Sequence, residues 1–208
     1  MFRLWLSALM IIGIGGRALA GAAPATMNFS KDAVGKEPSL LACVVGFWRV
    51  TKDGDQKVLM VNGSRQSSGQ PGFPLCVAKG VEKFSDGEIS FRFKPVAGRV
   101  DQGAGIVFDL RPNGDYLILR ANALENNLIL FRYARGERSS LKVIESVPTP
   151  TGRWQTLKLT VKGKNVQGAL NGKTYLEYEL PAPVSGKVGV WSKADSMVYF
   201  DDIKIDPK

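Results

Sequence analysis

The sequence predicts an all-β protein built from antiparallel strands, as a sandwich or a barrel, and three observations carry that expectation. From Phe84 onward apolar and polar residues alternate with the period of two that a half-buried strand requires. The connections between the alternating runs are short and rich in turn formers: "RPNGD", "ANALEN", "ARGERSS", "KGKN" and "LNGK". No stretch carries a sustained helical period, and "NALEN" offers a single helical turn at most.

The elements follow in order. From Gly21 to about Gln70 the text is mixed. A polar lead-in precedes the apolar "SLLACVVGFWRV", and "TKDGDQKVLMVNGSRQSSG" reads as two short strands around Lys52-Asp53-Gly54-Asp55. "SSGQPGFP" is a loop. In "GEISFRFKPV", Ile89, Phe91 and Phe93 take one face while Ser90, Arg92 and Lys94 take the other. "AGIVFDL", "DYLILRAN", "NLILFRY", "QTLKLTVKG", "NVQGALNG", "KTYLEYEL", "KVGVWSK" and "MVYFDDIKI" continue the pattern. Such alternation suits sheets with one face in a core and one face open.

"MFRLWLSALMIIGIGGRALA" has a basic start, an apolar run from Leu4 to Ile14 and the small-x-small ending Ala18-Leu19-Ala20. It reads as a secretory signal peptide, residues 1–20, leaving residues 21–208 as one β-sandwich domain. The apolar run falls short of the about 20 residues of a transmembrane helix, so no membrane span is expected after cleavage. The expected location is periplasmic or extracellular. There Cys43 and Cys76 are expected to form a disulfide, two buried thiols being the alternative.

The formal net charge is +9, spread along the chain without a run of like charges. That pattern argues against nucleic acid as a partner, which would call for a clustered basic stripe. It leaves acidic cell-envelope polymers as one class of partner. The sequence contains no histidine. A serine or cysteine nucleophile therefore has no imidazole to activate it, and two thiolates cannot make a structural zinc site. No cofactor is expected. In "YFDDIKI", Asp201 and Asp202 could supply oxygens to calcium, or simply end the last strand in solvent. The glycines of "DQGAGIVF" precede no helix, so they read as a turn and a close backbone approach rather than a phosphate cradle.

One strand carries more chemistry than a solvated face needs. In "DYLILRAN" the period of two puts Tyr116, Ile118, Arg120 and Asn122 on one face. If sequential strands pair, Arg92, Asp109, Glu125, Trp191 and Lys193 join them. A ring, a forked guanidinium and an amide on one face suit sugar recognition, by stacking and paired hydrogen bonds. The alternative is structural: Arg120 pairs with Asp109 or Glu125 across the sheet.

"FRFKPVAGRVDQGAGIVF", "DYLILRANALENNLILFRYARGER" and "GKVGVWSKADSMVYFDDIKI", within residues 84–206, resemble secreted bacterial proteins of the concanavalin A-like lectin/glucanase superfamily. The likeness is to domains of the laminin-G-like or 3-keto-disaccharide hydrolase type. It implies a jelly-roll sandwich of two curved antiparallel sheets with a concave face that often binds saccharide. Retaining glucanases of that superfamily carry a Glu-x-Asp-x-x-Glu strand that spaces nucleophile and acid for the reaction, and this sequence has none. The expected function is therefore a non-catalytic carbohydrate-binding module. A carbohydrate-cleaving enzyme of the 3-keto-disaccharide type, or an envelope protein without a sugar ligand, are the alternatives. On the binding reading the polar groove is shallow and open, and Arg120→Ala removes binding at little cost in stability.

Overall fold

The computed structural model describes residues 24–66 and 72–208, so the expected signal peptide lies outside the described residues. The described residues form fifteen strands and one short 3-10 turn, Gly63–Arg65, with no α-helix among them. Two antiparallel sheets result, in a jelly-roll sandwich. The first runs β13 (Lys173–Glu179), β12 (Asn165–Leu170), β11 (Gln155–Lys162), β6 (Gly87–Ala97), β15 (Met197–Pro207), β4 (Gln56–Asn62) and β3 (Trp48–Asp53), with β1 (Ala25–Met27) also paired to β15. The second runs β10 (Glu137–Ile144), β9 (Asn127–Ala134), β8 (Tyr116–Asn122), β7 (Gly103–Leu110), β14 (Lys187–Ser192), β5 (Leu75–Ala78) and β2 (Leu41–Val45).

The alternation read from the sequence places the core. On β6 burial switches at every residue: Ile89, Phe91 and Phe93 point inward, and Ser90, Arg92 and Lys94 point out. They meet Ile106, Phe108, Leu117, Leu119, Leu128 and Leu130 of the second sheet in one apolar cluster. The second sheet departs from the one-face-open expectation. All seven residues of β8 are buried, because its outer face carries a further apolar cluster that includes Tyr116, Ile118, Phe131 and Trp191.

Four strands escape the sequence pattern: β1, β2, β5 and β10. The last lies within and beyond "ARGERSS", which reads as a connection. Its residues are largely exposed, so it has little apolar alternation of its own and exists by pairing with β9. Sequential pairing also fails at one decisive point. β6 and β7 are consecutive in the chain but lie in different sheets.

Cys43 and Cys76 form a disulfide between directly opposed positions of β2 and β5. Replacing both with serine should lower stability by about 2–4 kcal/mol, mainly by freeing the unfolded chain. A denaturant titration of the double variant against the oxidised protein measures this, with an unchanged midpoint as the contrary result.

Candidate functional site

The candidate site lies on the outer face of the second sheet. Arg120 on β8 stands opposite Ile129 on β9 and Gly105 on β7, and Gly105 stands opposite Trp191 on β14. A Cβ at Gly105 would come within 3.1 Å of Trp191 Cε3. The indole therefore lies against glycine backbone in the same cross-strand row as Arg120. That is the close approach read from "DQGAGIVF".

At one end of this face is a buried polar network. Arg120 Nη2 donates to Glu125 Oε2 and to Asn127 Oδ1, each at 2.7 Å. Its Nη1 lies 3.9 Å from Asp101 Oδ2. Lys193 Nζ meets the same Asp101 oxygen at 2.8 Å, and Asn122 Nδ2 donates to Asp101 Oδ1 at 3.1 Å. Arg120 is 1% exposed, and Asn122, Asp101 and Trp191 are fully buried. The expected shallow, open groove is thus corrected. An arginine cannot be left unpaired in such surroundings, because its desolvation must be offset by carboxylates. Arg120 takes Glu125, as the structural alternative anticipated, but not Asp109.

Beside the network runs an aromatic strip. Tyr116 stacks on Tyr133 with centroids 4.6 Å apart, and Phe73 packs on Tyr133 and on Trp191. Burial pushes the Tyr116 hydroxyl up to about 12, against the opposing influence of the nearby Trp191 N–H. Arg138, from β10, lies over this strip. Its guanidinium carbon is 4.3 Å from the Phe131 centroid, 5.0 Å from Phe73 and 5.8 Å from Trp191. Burial, then repulsion from Arg120, lowers its pKa from the usual arginine value.

Two buried nitrogen atoms on this one face have no hydrogen-bond partner among the described residues, Arg120 Nε and Arg138 Nη1, while the Trp191 N–H is directed to the Tyr116 hydroxyl. Buried donors in folded proteins are nearly always satisfied, and each one left over has a cost. Arg138, Phe73, Tyr133, Phe131, Asp101 and Asn127 are the site residues that sequence reasoning did not find. "ARGER" offers a signal for Arg138 only once β10 is recognised as a strand paired to β9.

The other expected residues lie elsewhere. Asp109 closes the end of β7 in the left-handed region, φ 52°. It accepts from the Ser185 N–H at 2.8 Å and from Arg111. With Tyr116, Tyr133, Arg132, Tyr178 and Leu180 it lines a cleft of about 520 Å³ at the far end of the strip. Arg92 sits on the first sheet, apart from the cluster. It donates to Asp202 at 2.7 Å and Asp201 at 3.0 Å and packs on Trp154. A bulge with Asp202 at φ 48° brings both acids to Arg92. Among the described residues no group of three or more metal-ligating side chains is assembled, and the two acids considered for calcium hold an arginine.

Several carboxylates titrate below their ordinary range. Asp53 is lowered chiefly by the Lys94 hydrogen bond. Asp195 and Glu125 are opposed by burial but brought down, Asp195 by the backbone N–H groups of Arg99, Asp101 and Val100, and Glu125 by Arg120 and Asn127. A folded-state pKa below the unfolded one stabilises above the unfolded value and is lost as pH falls through the folded value. The thermal midpoint should accordingly hold from pH 7 to about 5 and fall below about pH 4. Asp201, raised by burial, acts in the opposite sense and softens the decline. Midpoints measured from pH 7 to pH 2 check this, and a rising midpoint on acidification would contradict it.

A model of the 3-keto-alpha-glucoside-1,2-lyase-like domain matches residues 44–206. The chain belongs to that family. No curated protein compared with it is similar. Among solved structures, the carbohydrate-binding module CBM66 from Bacillus subtilis superposes with a TM-score of 0.65 at 14% identity, covering 79% of this chain and 93% of the module. A Bacillus licheniformis β-glucanase superposes at 0.61 and 9% identity, covering 89% and 99%. A Bacteroides ovatus GH16 protein, solved with a G4G4G3G product, gives 0.59 at 10% identity, covering 87% and 99%. At these identities the likeness establishes the fold, one shared by a carbohydrate-binding module and by glycosidases. The family match agrees with the resemblance read from the sequence.

Proposed function

We propose that this is an exported carbohydrate-binding protein, periplasmic or extracellular, that holds a saccharide on the outer face of its second sheet without cleaving it. The observation that carries the reading is the meeting of two partnerless buried donors, on Arg120 and Arg138, with an aromatic strip. A sugar supplies what that combination lacks. Its oxygens accept from the donors, and its ring faces pack on aromatic planes. The adjoining cleft, about 520 Å³, gives further sugar units room beside Tyr116 and Tyr133. The disulfide supports export, and no helix among the described residues is long and apolar enough to cross a membrane.

Cleavage fits less well. A lyase needs a base poised near neutrality to remove a carbon-bound proton. On this face Tyr116 titrates at about 12, Glu125 is held below the ordinary carboxylate range, and the sequence offers no histidine. The family match favours the second reading, an enzyme acting on 3-keto sugars. A glycan array on the mature protein, followed by turnover assays on every sugar bound, tests both. Binding without product is the expected result. Product formation would establish the second reading, and an array without a hit would overturn the first.

Tyr133 should be sensitive without being structural. It is half-buried and presents its ring to Tyr116 and Phe73. Tyr133→Ala should weaken binding of an array-positive saccharide at least tenfold, an effect of about 1.4 kcal/mol. Isothermal titration measures it, and unchanged affinity would remove the strip from the site.

A further inference from the structure

We infer that the saccharide held on this face is acidic, a glycan bearing carboxylate groups such as a uronic acid polymer; the inference rests on the saccharide-binding reading above. The observation is an imbalance of charge. Arg120, Arg138 and Lys193 face one another across the outer sheet, and the carboxylates that face them are Asp101 and Glu125. Arg120 and Lys193 are ion-paired to those two acids. Arg138 has no carboxylate in contact among the described residues, and its Nη1 is buried without a partner. Asp109 does not make up the difference, because Arg111 neutralises it. Tyr116 stays protonated at neutral pH. The face therefore holds one more positive charge than negative.

A partly desolvated guanidinium over aromatic rings gains some stabilisation from their quadrupoles but lacks a counter-ion. A carboxylate meets that need in the way no hydroxyl can, through a charged pair of parallel hydrogen bonds to the fork. Arg138 is on the edge strand β10 and is half-exposed, so a polymer can approach it from solvent. The basic character of the chain, which persists without residues 1–20, favours encounter with such a polymer.

The experiment is isothermal titration of the disulfide-intact mature protein with trisaccharides of galacturonate, mannuronate and glucuronate. Each is paired with its methyl ester, and neutral cello- and laminaritriose complete the series. The best acid should bind at least tenfold more tightly than its own ester, which has the same ring and lacks the charge. Raising the salt concentration should narrow that ratio. Arg138→Gln, checked for an unchanged thermal midpoint, should bring the ratio close to one, and Arg138→Lys should leave it intermediate. An ester or neutral trisaccharide bound as tightly as the acid overturns the acidic assignment while saccharide binding stands. A ratio that persists in Arg138→Gln overturns the assignment to this face. Failure of every sugar to bind overturns both proposals.

Discussion

Arg120→Ala should destabilise the protein by about 3–5 kcal/mol, the range found when one partner of a buried charged network is removed. The side chain is 1% exposed and holds Glu125 and Asn127 at 2.7 Å. Truncation opens a cavity, strips Asn127 Oδ1 of its donor and leaves Asp101 to Lys193 and Asn122 alone. Equilibrium denaturation measures the loss. Adding Glu125→Gln should recover part of it, since the carboxylate that lost its 2.7 Å partner is then neutral, and the cycle gives the coupling. A loss under about 1 kcal/mol would place Arg120 in a solvated groove after all. Saccharide binding should fall as well, because Arg120 positions one end of the face. That replaces the sequence expectation of a mutant impaired in binding but intact in stability.

Leu119→Ala, one residue away and on the opposite face, should cost about 3–5 kcal/mol for a different reason. Leu119 is fully buried among residues of both sheets. It reaches across the sandwich to Gly168 on β12, where an added Cβ would lie 2.8 Å from Leu119 Cδ1. The glycine leaves a hollow shaped to this side chain, and β-sheet backbone on either side cannot collapse to fill it. The loss should be independent of pH and salt, whereas that of Arg120→Ala should shrink as acid protonates the partner carboxylates. Denaturation at pH 7 and at about pH 3 separates the two. Equal pH responses would mean that the Arg120 effect is one of volume.

How far the molecule was legible from residues alone differs from one strand to the next. β6, β8, β9 and β11 announce themselves, because alternation is a local property and each residue's neighbours two along share its face. The same rule correctly joins Tyr116, Arg120 and Asn122, and it puts Trp191 on the matching side of β14. The disulfide is expected from the even cysteine number together with the signal peptide read from residues 1–20, and the structure forms it. The absence of histidine limits the chemistry by composition alone.

Tertiary structure alone decided which strands are neighbours and which faces meet solvent. Arg92 looks equivalent to Arg120 in sequence, yet the chain crosses to the other sheet between β6 and β7, and Arg92 ends on Asp201 and Asp202. Parity says that Arg120 points away from the core. It does not say that Phe73 and Arg138 cover that face, since they come from a loop and an edge strand with little pattern of their own. Period and turn chemistry act between residues a few positions apart and are written in the sequence. Strand order and the covering of a face depend on contacts between distant residues, and only the folded chain determines them.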